Sequence, residues 1–214
     1  MPAPATSCII VAGGQSRRMG HDKRQMRLWG ASGPTLLEHV VLLARSMCAD
    51  CVVVLPDPER WRHLSARLVA DEYPGAGPLA ALITGLEHVA QPYALALAGD
   101  LPTIEPRLIA ALRAWPRPYQ ALVPIHDQPP GRPEPLLALY HRDCATILRP
   151  HVKAGLRTLH RALHVLDHQF VPPAFWRQHD PTGRSFLNLN TPADVHQITA
   201  SPHRRTAGTA LPPA

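Results

Sequence analysis

At 214 residues the chain is long enough to bury a full core, and the length favours one domain. A hydrophobic content of 45% with 18% charged residues is that of a globular protein, and no apolar stretch approaches the ~20 residues of a membrane span. A net charge of +6 and a pI near 9.6 suit an anionic ligand, but only 5% of residues are aromatic, too few for the stacking platforms of single-stranded nucleic-acid binders.

Residues 1–6 are Pro/Ala-rich and lack the positive n-region of a signal peptide, so a flexible N-terminus and a cytoplasmic location are expected. Residues 7–12 read as a buried strand. Helical periodicity follows over residues 35–47 through Leu36, Leu37, Val40, Val41 and Leu43, with Pro34 near the start. Residues 51–55 form a second apolar strand that Pro56 halts. A short helix is expected over 57–66 and a short strand over 67–70. The turn Gly75-Ala76-Gly77-Pro78 leads into a helix over 79–89.

Residues 93–98 are a continuous apolar strand ending at Gly99-Asp100. A helix over 105–115 precedes a strand over 120–124, and the proline-rich stretch 127–133 must be a loop. A strand over 136–140, helices around 142–151 and 155–163, and short strands at 165–171 and 185–187 complete the pattern. A terminal helix over 192–199 has Thr191 as its N-cap. Residues 7–200 thus read as a single domain, and 201–214 as a disordered tail. Its His203-Arg204-Arg205 cluster is read as solvated, and neither nucleic acid nor membrane is expected as a partner.

Alternating strands and helices indicate an α/β fold with a mostly parallel sheet and helices on both faces. Ligands in such sheets collect beyond the carboxyl ends of the strands, which puts the loops after Val11, Leu55 and Ala98 on one rim. The first of these loops is the most informative. Val11-Ala12-Gly13-Gly14 is followed by Arg17, Arg18, Gly20 and Lys23. Glycines let backbone N–H groups approach phosphate oxygens, and the cations neutralise charge. Five residues separate Gly14 from Gly20 and His21 follows, so the spacing is not that of a Walker loop, and the dinucleotide fingerprint is also absent.

Three further features carry polar groups that could serve a ligand, and the first of them, Asp100, lies on that rim. Asp100 ends a buried strand, where a carboxylate either holds Mg²⁺ or caps the turn that Pro102 enforces. Asn188 and Asn190 place two amides on one face of an extended segment, although alone they read as a helix-entry turn. Asp71 precedes a glycine-rich turn and can accept hydrogen bonds from a base or ribose, or simply cap a surface loop. The four cysteines do not form a zinc pattern; Cys48 and Cys51 are read as buried thiols at a helix-to-strand junction rather than a redox pair. His160 and His164 share a helical spacing that is weak as a metal signal.

Taken together, Val-Ala-Gly-Gly-x-Ser-x-Arg-Met-Gly-x-Asp-Lys (11–23), Gly-Pro-Leu-Ala (77–80), Gly-Asp-Leu-Pro (99–102), Glu-Pro-Leu-x-Ala-Leu-Tyr (134–140) and Leu-Asn-x-Asn-Thr-Pro-x-Asp (187–194) resemble the molybdenum cofactor guanylyltransferase family. That family sits within the nucleotidyltransferases that include sugar-nucleotide pyrophosphorylases. The resemblance implies a three-layer Rossmann-like nucleotidyltransferase fold. It also implies transfer of GMP from GTP to molybdopterin, with Mg²⁺ as cofactor and pyrophosphate released. By motif, Val11, Ala12, Gly13 and Gly14 contact the nucleotide; Arg18 and Lys23 neutralise its phosphates and, with Asp100, are catalytic. Asp71 faces the guanosine, Asp100 binds the metal, Asn188 and Asn190 complete the rim, and Arg157 meets the pterin phosphate. Transient contact with molybdoenzymes or their chaperones is a further expectation.

The chain departs from the family at Leu55, where a polar residue is usual, so that one nucleotide contact is missing or is supplied by Asp57. Gly99-Asp100 resembles the cytidylyltransferases, but the first loop, Gly-Pro-Leu-Ala and Asn-Thr-Pro favour GTP over CTP. The competing readings are a cytidylyltransferase or sugar-phosphate nucleotidyltransferase, and a non-catalytic nucleotide-binding partner of a molybdoenzyme.

Overall fold

The computed structural model describes residues 4–13, 22–73, 76–189 and 194. The terminal helix expected over 192–199 and the tail lie outside the described residues, apart from Asp194. Seven strands form one sheet: β1 (Ser7–Val11), β2 (Asp50–Leu55), β3 (Arg67–Ala70), β4 (Tyr93–Ala98), β5 (Ala121–Pro124), β6 (Leu137–His141) and β7 (His168–Val171). Their spatial order is β3-β2-β1-β4-β6-β5-β7, and β6 alone among them runs against the rest.

Among the described residues six helices flank the sheet: α1 (Leu36–Met47), α2 (Pro78–His88), α3 (Pro106–Arg113), α4 (Cys144–Lys153), α5 (Leu159–Leu163) and α6 (Pro173–Trp176). Period-two alternation divides the strands between two cores. Cys8, Ile10, Val53, Leu95 and Leu97 face α1 and α3, whereas Ile9, Val11, Val52, Ala94 and Ala96 face α2, α4 and α5. The fold is therefore three-layered, as expected.

Local chemistry fixes the ends of the helices. Thr35 and Glu38 form a reciprocal capping box at the start of α1, with Thr35 N–H donating to Glu38 Oε2 at 2.6 Å and Glu38 N–H to Thr35 Oγ1 at 3.3 Å. Gly85 lets α2 settle against β1, since a Cβ there would lie 2.3 Å from Ile9 Cγ2. His39, on α1, pairs through Nε2 with the Pro102 carbonyl at 2.9 Å and so ties α1 to the loop after β4. Burial pulls the pKa of His39 below its ordinary value, which leaves the ring neutral and its Nε2–H the donor.

Two expected elements are corrected. Residues 57–66 contain only a 3₁₀ turn, Pro58–Trp61, because the Asp57 carboxylate does not cap a helix but turns away to Arg24. Residues 185–187 are not a strand. Arg184–Phe186 is a 3₁₀ turn, which Gly183 enters at φ 66° and the buried Asp180 holds by accepting from the Arg184 and Ser185 N–H groups. The helix α6 was not expected; Pro173 starts it at a position where a missing N–H has no cost. Residues 155–163 are helical only over α5, and the strand expected at 165–171 begins at His168.

Candidate active site

From β1 the chain moves outward through β2 to β3 and then returns, through α2, to lay β4 on the other side of β1. The loops leaving β1 and β4 therefore diverge, and the crevice between them is the switch point where α/β sheets bind ligands. Val11 pairs with Val54 on one side and Ala98 on the other, so the ends of all three strands are level. Gly99 brings the two loops together: its N–H donates to Val11 O at 3.0 Å, and a Cβ would stand 3.3 Å from Ala12 Cα, tighter than side chains normally tolerate.

A cleft opens here, lined by Val11, Ala12, Gly13, Lys23, Gly99 and Asp100, with Arg24, Pro78, Ala98 and Leu136 closing it. Lys23 Nζ lies 2.5 Å from Asp100 Oδ2 across a sequence separation of 77, and both side chains are largely shielded from solvent. A cation and a carboxylate meeting at the N–H-bearing end of a glycine loop can hold a polyphosphate and a divalent metal together.

The surrounding backbone is built to hold this pair. Leu189 N–H donates to Asp100 O at 2.9 Å, which fastens the segment bearing Asn188 behind the carboxylate. Leu136 O accepts from Ala98 N–H at 3.0 Å, the buried Tyr140 hydroxyl donates to Pro135 O at 3.0 Å, and Glu134 pairs with His126 Nε2 at 3.0 Å. The Glu-Pro-Leu-x-Ala-Leu-Tyr stretch thus holds Leu136 in place at the edge of the cleft.

Of the residues expected at the site, Val11, Ala12, Gly13, Lys23 and Asp100 line this one cleft. Gly14, Arg18 and Asn190 lie outside the described residues. Asp71 follows β3, its Oδ1 accepting from Tyr73 N–H at 3.0 Å, and is not among the cleft-lining residues. Arg157 is exposed and turns its Nη1 onto the Val152 and Leu156 carbonyls at the end of α4, while its own carbonyl approaches Gly77. Arg24 was not anticipated. No motif or spacing in the sequence marks it, since its partner Asp57 lies 33 positions away on another loop.

The MobA-like NTP transferase domain family matches residues 8–169. A probable molybdenum cofactor guanylyltransferase of Chloroflexus aggregans is 47% identical over 194 residues, covering 91% of this chain and 93% of its own. The molybdenum cofactor guanylyltransferase of Syntrophotalea carbinolica is 32% identical, with 89% of each chain covered. Among solved structures, molybdopterin-guanine dinucleotide biosynthesis protein A from Archaeoglobus fulgidus superposes with a TM-score of 0.75 at 28% identity, over 91% of this chain and 97% of that one. A cytidylyltransferase of Thermus thermophilus, at 19% identity and a TM-score of 0.63, shares the fold. With the family match covering most of its length, this chain belongs to the MobA-like NTP transferases.

Proposed function

We propose that this nucleotidyltransferase moves GMP from GTP to the terminal phosphate of molybdopterin and releases pyrophosphate. The observation that carries the reading is the Lys23–Asp100 pair at the β1/β4 switch point, in a chain 47% identical to a protein named for that activity. In the reaction an oxygen of the acceptor phosphate bonds to the α-phosphorus of GTP. The bond from that phosphorus to the β-phosphate oxygen breaks, and the electron pair leaves with pyrophosphate. The acceptor is already ionised near neutral pH, so no protein base is needed.

Both reactants are anions, and their approach is repulsive until cations screen it. Lys23 supplies one such cation, close enough to turn from Asp100 onto the phosphates and offset the charge that builds on the leaving group. Arg18 carries the same role by motif. The donor set fits Mg²⁺: Asp100 is the one carboxylate lining the cleft among the described residues, and magnesium favours one or two carboxylates completed by phosphate oxygens and water. Asp100 would hold it, and the bound metal supplies charge neutralisation and orientation of the phosphates.

In this reading Val11, Ala12, Gly13 and Gly14 cradle the nucleotide. Asp71 has a second carboxylate oxygen for the guanosine, Asn188 and Asn190 meet the ribose or phosphates, and Arg157 serves the pterin phosphate. The enzyme works in the cytoplasm and hands its product on through transient contact with molybdoenzymes or their chaperones. No helix among the described residues is long and apolar enough to cross a membrane. The test is transfer of label from α-³²P-GTP or α-³²P-CTP to molybdopterin, with sugar 1-phosphates as competing acceptors. Labelled product from GTP and molybdopterin is expected; equal transfer from CTP, or to a sugar phosphate, would reassign the substrate.

A further inference from the structure

We propose that Arg24 is a positioning residue for the transfer reaction, a brace that holds Lys23 against Asp100. The proposal rests on the nucleotidyl-transfer reading of the cleft. An arginine beside a phosphate site is ordinarily a phosphate ligand, but the donors of Arg24 are all engaged within the protein. Nε donates to Asp22 Oδ1 at 2.9 Å and Nη2 to Asp22 Oδ2 at 2.7 Å, one bidentate pair. Nη1 donates to Asp57 Oδ1 at 2.6 Å and Nη2 to Asp57 Oδ2 at 3.1 Å, a second pair. The remaining Nη1 proton points to Ala12 O at 3.4 Å. A guanidinium has five N–H donors, and each has an acceptor here, so none is left for a ligand.

What those acceptors belong to defines the role. Ala12 is the first residue beyond β1, Asp57 lies just beyond β2, and Asp22 caps the 3₁₀ turn Lys23–Gln25, its Oδ1 also accepting from Arg24 N–H at 3.1 Å. One planar group therefore pins the turn that carries Lys23 to the ends of two adjacent parallel strands. The guanidinium lies 5.6 Å from the ring centroid of the buried Trp61, and the Arg24 side chain is only 13% exposed. Burial works against its charge, but the bonds to Asp22 and Asp57 outweigh that and hold Arg24 more firmly protonated than usual, while Arg24 holds Asp22 down at about 2. A lysine ammonium cannot make two bidentate pairs, so the geometry requires arginine. Asp57 is thereby committed to the brace rather than to a nucleotide, and Leu55 has no polar substitute at this position.

The test uses Arg24→Gln, Arg24→Lys and Asp57→Asn in the full-length protein. With GMP transfer as readout, kcat is expected to fall roughly tenfold to hundredfold in Arg24→Gln, the scale of an ångström-sized misplacement of a catalytic group. KM for GTP should change by less than about threefold, because Arg24 itself does not bind the nucleotide. Arg24→Lys should resemble Arg24→Gln, and Asp57→Asn should shift kcat in the same direction by less.

A second readout does not depend on activity. The sequence holds two lysines, Lys23 and the exposed Lys153 on α4. Competitive acetylation followed by mass spectrometry reports Lys23 reactivity against Lys153 as an internal standard. Release of Lys23 should raise that ratio severalfold in Arg24→Gln, and less in Asp57→Asn if Arg24→Gln folds poorly. An unchanged ratio, or a lowered melting temperature with unchanged kcat well below it, would overturn the brace. A wild type with no GMP transfer but with the expected labelling change would instead overturn the substrate reading alone.

Discussion

Two concave surfaces of this protein differ in a way that size alone would misjudge. A groove of about 780 Å³ runs between α3, β7 and α6, lined chiefly by Trp115, Pro116, Pro118 and Phe175. Its arginine, Arg117, stacks 3.8 Å above the Tyr93 ring, and no carboxylate is among the described lining residues. The cleft at the ends of β1 and β4 is far smaller, about 130 Å³, yet it gathers Lys23, Arg24 and Asp100. The sheet topology accounts for the difference. At the switch point two loops diverge from level strand ends, and there a cation and a carboxylate 77 positions apart face each other across a cleft. Chemistry follows the topology and not the volume.

The contrast is sharpest in what substitutions should do. Lys23→Ala or Asp100→Ala should lower kcat for GMP transfer by roughly 10²–10³, about 2.7–4 kcal/mol in the barrier, without a large change in melting temperature. Trp115→Ala in the groove should leave kcat unchanged. A comparable loss of rate from the groove variant would break the comparison.

Substitutions under the rim should do the reverse. Gly85→Ala drives a methyl into the Ile9 side chain between α2 and β1, and should destabilise by about 1–3 kcal/mol in urea unfolding while kcat at low temperature holds. Acid should reach the rim next. Asp22 titrates at about 2 against 3.8 for an unperturbed group, chiefly through its bond to Arg24. Because the folded value is depressed, the stability it gives is fully present above pH ~4 and is lost as pH falls toward ~2, on the order of 2 kcal/mol. Asp22→Asn should remove that part of the acid dependence in pH-dependent unfolding. Thr35→Ala, which deletes half of the α1 capping box, should cost about 1 kcal/mol and not affect the rate.

Much of this was legible in the chain. The unbroken apolar runs of β1, β2 and β4 and the Gly99-Asp100 stop put the carboxylate on the same rim as the glycine loop. The helix expected over 35–47 differs from α1 by one residue, because Thr35 is its N-cap. The brace was not legible, because Arg24 and Asp57 are 33 positions apart and neither alternation nor spacing reports a contact between two loop residues. For the same reason Asp57 read as the start of a helix. Residues 185–187 misread as a strand because Phe186 and Leu187 look apolar, whereas Leu187 is 53% exposed and the decisive residue is the buried Asp180. Local pattern finds elements; long-range charge pairing has to be seen.

The central claim is that the small cleft binds a guanosine triphosphate through Asp100. It is tested most directly by the melting temperature of the wild type and of Asp100→Ala with Mg²⁺ and either GTP or CTP at equal concentration. The account predicts a rise with GTP that exceeds the rise with CTP in the wild type and is largely lost in the variant. An equal rise with CTP would contradict the choice of base, and a full rise with GTP in Asp100→Ala would contradict the site.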